Sequence, residues 1–256
     1  MRYAIKVAYD GTNYGGWQIQ KNNNSVQEEI EKVAKTIFGK RVCVNASGRT
    51  DSGVHALAQI CHFDAETTIP PEKIADAFNA YLPADISVLQ SDCVPENFDA
   101  TRSAKKKTYC YRMYLSSRRN PLKDRYSEWI KIPVNIAKLR HISGCFVGEH
   151  DFKAYCKSNS SIKTTVREIY SVDVKTAEND GFTDVEIFVC GNGFLYNMVR
   201  TVAGTMLAFA SGSLSEEDVK NSINNCDRNC VGKTMPAHGL TLECVDYGFD
   251  LFGNRR

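Results

Sequence analysis

The sequence predicts an α+β protein built from two lobes that join their sheets. Hydrophobic periodicity in the first part of the 256-residue chain gives the order strand, helix, strand, strand, helix, strand, which is the split βαβ or ferredoxin-like unit. From Thr108 onward the chain roughly repeats this series. We therefore predict one lobe over residues 1–104 and a second over residues 105–256, with the join near residues 98–107.

The first lobe shows its elements in alternating and helical patterns. Residues 2–10 alternate apolar and polar side chains and end at Asp10-Gly11, as a strand followed by a turn does. Ser25 begins a helix with the pattern of a capping box, and Gly39 ends it. The remaining elements are strands over residues 42–46, 58–63 and 86–94, and a helix that starts at Pro71.

The second lobe is predicted from the same two periods. Residues 109–115 alternate as a strand, Pro133 starts a helix, and residues 195–210 form a long, mostly apolar helix. The remaining elements are strands over residues 166–174 and 182–189 with a hairpin turn at Asn179-Asp180-Gly181, a helix from Ser215 and a closing strand over residues 240–245.

The composition is that of an ordinary globular protein, with 43% hydrophobic and 24% charged residues. No stretch approaches the roughly 20 apolar residues of a membrane helix, and charges near the start argue against a secretory leader, so we expect a cytoplasmic protein. Ten cysteines in this length are too few for a disulfide scaffold. Cys226 and Cys230 form the one close pair, and without a second pair or a nearby histidine they favour thiols over a zinc site.

The net charge of +2 is unevenly distributed. Residues 100–125 contain nine Lys or Arg against one acid, and residues 153–167 contain four (Lys153, Lys157, Lys163, Arg167) with no acid. A basic face on an otherwise acidic body suits phosphate binding. A solvated charged surface explains the same charges, so both interpretations stay open.

The stretch Gly48-Arg49-Thr50-Asp51-Ser52-Gly53-Val54-His55-Ala56 follows a predicted strand. Asp, Ser and Gly suit tight turns, so Asp51 can be structural. Arg49 and Asp51 are two residues apart and point the same way in extended backbone, and a guanidinium beside a carboxylate keeps it ionised. An ionised carboxylate at the end of a strand is what a nucleophilic aspartate requires.

With this stretch the sequence resembles the TruA family of tRNA pseudouridine synthases. Further matches follow in the family's order along nearly the whole chain. They are Tyr9-Asp10-Gly11, Gly16-Trp17-Gln18, Lys107-Thr108-Tyr109-Cys110-Tyr111, Gly148-Glu149-His150-Asp151-Phe152, Phe194-Leu195-Tyr196-Asn197-Met198-Val199-Arg200 and Pro236-Ala237-His238-Gly239-Leu240. One departure is Thr101 after Phe98-Asp99-Ala100, where the family often has arginine, which here comes one place later at Arg102.

The resemblance implies a role for four residues. Asp51 matches the catalytic aspartate, and Arg49 the arginine that helps displace the target base. Tyr109 matches the tyrosine that stacks on the uracil, and Arg200 the arginine that pairs with the aspartate. The reaction turns uridine into pseudouridine in the anticodon stem-loop of tRNA, at positions 38, 39 and 40, and needs no cofactor or metal.

Structural alternatives remain for several of these side chains. Tyr109 lies in an alternating strand, where a tyrosine is usually a packing residue. Arg200 lies in an apolar helix, where a cation needs a buried anion, which Asp51 can supply. His55 and His62 lack a third ligand nearby, and we interpret both as structural.

The resemblance also implies the assembly. It gives two ferredoxin-like, RRM-like lobes with one continuous antiparallel sheet, an active-site cleft between them, and a homodimer on which one tRNA touches both subunits. Two other classes stay open: a non-catalytic RNA-binding module of the same fold, and an aspartate-nucleophile hydrolase of phosphate esters. The hydrolase would require a carboxylate cluster for magnesium, and the Asp51 stretch holds one carboxylate.

Overall fold

The computed structural model of the chain describes residues 1–156, 164–179 and 181–253. The chain divides into two compact units, Met1–Lys107 with Thr241–Arg256 and Thr108–Leu240. The division predicted from sequence differs from this one at the end of the chain, because the closing strand belongs to the first unit. Apolar alternation shows that a segment is a strand but not which sheet it joins.

The described residues form a mixed α/β structure of ten strands and five α-helices. In chain order these are β1 (Arg2–Tyr9), α1 (Val26–Phe38), β2 (Asn45–Ala46), β3 (His55–Asp64), α2 (Ile74–Asn79), β4 (Ile86–Val94), β5 (Lys106–Leu115), β6 (Glu128–Ile130), α3 (Ile136–Ser143), β7 (Gly148–Asp151), β8 (Val166–Asn179), β9 (Phe182–Gly191), α4 (Met198–Ala210), α5 (Glu216–Asn224) and β10 (Leu240–Asp246). The predicted order strand, helix, strand, strand, helix, strand over the first part is confirmed.

In the first unit β1 is the central strand, with β4 on one side and β3 on the other, both antiparallel to it. The far side of β3 is shared by two short pairings. β2 pairs with it antiparallel at Cys61 and His62, and β10 pairs with it parallel at His55 and Ala56. The predicted antiparallel sheet is therefore corrected, since β10 runs parallel to β3.

In the second unit the strand order is β5, β9, β8, β7, and β6 lies parallel to β5. Strands β8 and β9 form the predicted antiparallel hairpin and are longer than expected. Strands β6 and β7 were missed, because three or four residues are too few for alternation to show. The predicted turn residue Asp180 lies outside the described residues.

Capping side chains set the helix ends. Ser25 accepts a hydrogen bond from the backbone of Glu28, and Gly39 ends α1 in the left-handed region, with φ of 68°. Helix α3 begins after Asn135 rather than at Pro133, because the Asn135 side chain accepts from the backbone of Lys138. Helix α4 begins three residues later than predicted, since Asn197 is left-handed (φ 66°) and no helix continues through it.

Each unit has its own apolar core. In the first unit the rings of Tyr3, Phe38, Phe63 and Phe78 pack together between the sheet and its helices. In the second unit α4 is buried along nearly its whole length. Among the helices of the described residues, none has both the length and the apolar character to cross a bilayer.

Candidate active site

The segment that carries Asp51 leads directly into β3 and closes with a tight turn. The carbonyl of Asp51 accepts a hydrogen bond from the backbone of Val54 at 3.1 Å, and Gly53 is left-handed with φ of 77°. The local turn chemistry predicted for this stretch is therefore present. Asp51 is half-buried and Arg49 is exposed. We call residues 47–55 the Asp51 loop.

The first N-terminal motif supports the Asp51 loop from one side. The Tyr9 hydroxyl hydrogen-bonds the Thr50 hydroxyl at 2.8 Å in a buried position. Gly11 donates its backbone N–H to Nδ1 of His55 at 3.0 Å. A Cβ at Gly11 would lie only 2.1 Å from the Val54 carbonyl oxygen, so the contact requires glycine. Tyr9-Asp10-Gly11 is thus a scaffold for the Asp51 loop.

The second N-terminal motif holds the loop at Thr50. Trp17 donates its backbone N–H to the carbonyl of Thr50 at 3.1 Å. Gly16 has φ of +104°, and a Cβ there would lie 2.6 Å from the Thr50 carbonyl oxygen. The carbonyl of Tyr14 accepts from the backbone of Gly53 at 3.3 Å. The backbone on both sides of Asp51 is therefore fixed.

A buried polar network holds the start of the loop. Lys107 donates from Nζ to the carbonyl of Ser47 at 2.6 Å, and burial lowers the pKa of its ammonium group. Gln59, with 0% exposure, binds the Ser47 hydroxyl at 2.6 Å and the Gly48 carbonyl at 2.8 Å. The sequence analysis placed Lys107 in a basic segment and did not predict a role for Gln59. A glutamine inside an apolar strand was the available signal.

Both histidines of the first unit have backbone partners. Nδ1 of His55 accepts from Gly11, and Nδ1 of His62 accepts from the backbone of Ala100 at 3.1 Å. Burial, together with the nearby Arg2, lowers the pKa of His62. These contacts support the structural interpretation of both residues.

In the second unit Tyr109 is 8% exposed, on β5. Its ring meets that of Phe194 edge to face, with centroids 5.2 Å apart. This is the packing expected of a tyrosine in a strand, and Phe194 belongs to the motif that ends at Arg200. Stacking on a uracil stays a prediction.

Arg200 is half-buried on α4 and held by two neutral oxygens. Its Nε donates to the Met235 carbonyl at 2.7 Å, and its Nη1 donates to the Asn197 side chain at 2.9 Å. The segment before Met235 crosses α4 closely, because a Cβ at Gly204 would lie 1.8 Å from the Lys233 carbonyl oxygen. One sequence motif and the residue directly before another thus hold one guanidinium group, whose predicted pairing with Asp51 stays a prediction.

The two basic segments contain fewer available cations than the sequence count indicates. Four cations of residues 100–125 form ion pairs: Lys106 with Asp246, Arg112 with Glu186, Arg119 with Asp124 and Lys123 with Asp184. Arg102, Lys105, Arg118 and Lys153 are exposed. Lys157 and Lys163 lie outside the described residues.

Comparisons of the chain with known proteins match it to one family. The model of the tRNA pseudouridine synthase family matches residues 5–101 and 143–248. The chain is 42% identical over 243 residues to tRNA pseudouridine synthase A of Ruminiclostridium cellulolyticum, covering 95% of the chain and 98% of that protein. It is 41% identical over 249 residues to the protein of that name from Bacillus velezensis, covering 96% and 99%.

A solved structure of an archaeal box H/ACA Nop10–Cbf5 complex aligns with 92% of the chain and 58% of its own chain. The identity is 12% and the TM-score 0.34. Family membership is shown by the family model and by the relatives that match over nearly their full length. The chain belongs to the tRNA pseudouridine synthase family.

Proposed function

We propose that this protein isomerises uridine to pseudouridine at positions 38, 39 and 40 of the tRNA anticodon stem-loop, with Asp51 as the catalytic carboxylate. Membership of the tRNA pseudouridine synthase family gives the reaction class. The observation that carries the assignment of Asp51 is the fixed backbone around it. Gly11 and Gly16 each approach the Asp51 loop so closely that no other residue fits. Such preorganisation is what a catalytic side chain requires.

The reaction breaks the N1–C1′ bond of uridine and joins C1′ to C5 of the same base. The C5 proton leaves and N1 takes up a proton, so the reaction is an isomerisation without a redox step. Asp51 serves it by attack at C1′ or at C6, or by stabilising positive charge that develops at C1′. The uridine must first leave the base stack.

The other three residues hold the RNA, the target base and the Asp51 carboxylate in position for the reaction. Arg49, exposed next to Asp51, fills the space that the flipped uridine vacates. Tyr109 offers its ring to the uracil and its hydroxyl to the C5 proton. Arg200 pairs with the Asp51 carboxylate and holds its orientation.

The finer assembly is part of the same proposal: two ferredoxin-like lobes, a homodimer and a cytoplasmic location where tRNA is modified. The position of β1 between β3 and β4 supports the split βαβ unit in the first unit. A homodimer predicts a mass in solution of about twice the 28.6 kDa of the chain.

Release of tritium from 5-tritiated uridine in unmodified tRNA tests the proposed reaction. Three anticodon stem-loops, each with one labelled uridine at position 38, 39 or 40, show which positions are used. We expect stoichiometric release from the labelled positions. A protein that binds tRNA and releases no label would instead be an RNA-binding module.

A further inference from the structure

A cavity of about 510 Å³ opens in the first unit beside the Asp51 loop. Gly48 and Arg49 belong both to the loop and to the cavity wall. Its volume lies within the roughly 300–1,000 Å³ range of small-ligand sites. Arg49, Gln18 and Asn45 are exposed lining residues, so a ligand can enter from solvent.

One amide in the wall of this cavity is fixed by its hydrogen bonds, and two others are exposed to solvent. Gln27 is held by four hydrogen bonds, accepting from Gln18 and the backbone of Ile19 and donating to Glu31 and the Val44 carbonyl. Gln18 and Asn45 stand at the open side with amide donors and acceptors. Side-chain amides are among the groups that recognise the edges of nucleic-acid bases.

The charge around the cavity favours an anion. Arg49 lies at its edge, and no carboxylate occurs among the described residues that line it. Behind the wall, Nζ of Lys107 would lie 3.2 Å from a Cβ placed at Gly48. Lys107 lies behind the wall at Gly48, and the buried carboxylate of Glu31 lies behind it at Gln27. The positive charge at the open edge is therefore that of Arg49, which suits a ligand with a phosphate and a hydrogen-bonding base.

The cavity wall includes Arg49, which is two residues from Asp51 in sequence. Two residues of extended backbone span at most roughly 7 Å, so the Cα atoms of Arg49 and Asp51 lie within that distance of each other. An RNA strand with its uridine at Asp51 therefore brings a neighbouring nucleotide to the cavity.

We propose that this cavity binds the nucleotide next to the target uridine on the same RNA strand. Gln18 and Asn45 contact its base, and Arg49, whose side chain fills the space vacated by the uridine, supplies the positive charge beside its phosphate. The inference rests on the proposed function, because it takes Asp51 as the position of the target uridine. Binding a neighbour in this way would hold the strand open while the uridine is flipped.

Asn45→Phe tests the proposal from the protein side. Asn45 is exposed on β2, so the new ring fills the cavity without entering the apolar core. We expect the KM for an anticodon stem-loop to rise about tenfold, with the single-turnover rate at saturating RNA near that of the wild type. The matched control is Cys43→Phe, which places the same ring two residues earlier at an exposed position outside the cavity wall.

Stem-loops with an abasic nucleotide directly 5′ or directly 3′ of the target test it from the RNA side. One of them should raise the KM of the wild type about tenfold and have no further effect on Asn45→Phe. Equal KM values for Asn45→Phe and Cys43→Phe would overturn the proposal. It would also be overturned if the abasic RNA raised the KM of Asn45→Phe by the same factor as that of the wild type. If Asn45→Phe melts at a lower temperature than the wild type, Gln18→Leu replaces it in the same measurements of KM, because Gln18 also lines the open side of the cavity. Failure of the proposed function is distinct, since the wild type would then release no label from intact RNA.

Discussion

Around Asp51, single polar side chains hold the backbone in place. Thr50 binds Tyr9, and Ser47 binds both Gln59 and Lys107. Buried groups of this kind are costly unless they are paired, so their positions are strongly determined. The turn that holds Asp51 was predicted from its neighbours in sequence. The support by Lys107 was not, because a lysine in a run of cations is usually a surface residue.

Lys107→Met removes the ammonium group and keeps a side chain of similar length. The Ser47 carbonyl then loses its donor, and the start of the Asp51 loop loosens. We expect kcat for tritium release to fall about tenfold, which corresponds to about 1.4 kcal/mol, close to the lower end for one charged hydrogen bond. Lys73→Met, at an exposed pair with Asp76, is the control and should leave kcat unchanged. Full kcat in Lys107→Met would show that this contact does not position the loop.

His62 predicts a pH dependence of stability. Burial lowers its pKa below the ordinary 6.5, so protonation favours the unfolded chain, where the imidazole is solvated. The stabilisation is complete above about pH 6.5 and is lost as the pH falls through the lower pKa of the folded state. Protonated Nδ1 also cannot accept from Ala100, a hydrogen bond of about 1 kcal/mol.

The comparison is with His62→Asn, whose side-chain oxygen can accept from Ala100 and does not titrate. Urea unfolding at pH 7.5 and at pH 5 should show the wild type losing stability relative to this variant at the lower pH. A constant difference between the two proteins would contradict the assigned role.

At the scale of elements, the sequence predicted most helices and strands where local chemistry determines them. Ser25 and Ser215 mark helix starts that the structure confirms. Asn135 and Asn197 set starts that were missed, because a proline and an apolar run gave stronger patterns nearby. The close approaches at Gly16 and Gly204 join segments distant in sequence, and no local pattern reports such contacts.

Gly16→Ala tests whether the N-terminal motif holds the Asp51 loop. The left-handed backbone there, with φ of +104°, disfavours any other residue, and the new Cβ would meet the Thr50 carbonyl oxygen. We expect a loss of stability above 1 kcal/mol and a fall in kcat of at least tenfold. Gly39→Ala is the matched control, because it is also left-handed (φ +68°) but its Cβ would meet nothing within 4 Å. It should lose about 1 kcal/mol of stability and keep its kcat; an equal loss of kcat in both variants would show that instability alone is responsible.

For the molecule as a whole, binding to tRNA should depend on exposed cations rather than on the net charge of +2. Ion pairs to acidic residues engage four cations of the basic segment. The exposed Arg102 and Lys105 are the better candidates for phosphate contacts. Because phosphate binding releases counterions, affinity should fall steeply with salt.

The slope of log Kd against log salt concentration measures these contacts. Changing Arg102 and Lys105 to Gln should reduce the slope by about 0.9 for each lost contact with duplex phosphates. The control changes Lys32 and Lys73, two exposed lysines of the first unit, to Gln. An unchanged slope in the first variant would show that Arg102 and Lys105 do not contact the phosphates.

Single-turnover tritium release by Asp51→Asn, at tRNA concentrations that saturate the protein, tests the central claim most directly. The amide keeps the size of the side chain and removes the charge that the reaction requires. We predict tRNA binding within about twofold of the wild type and no detectable release of label. Release at the wild-type rate would show that Asp51 is a turn residue and that catalysis lies elsewhere.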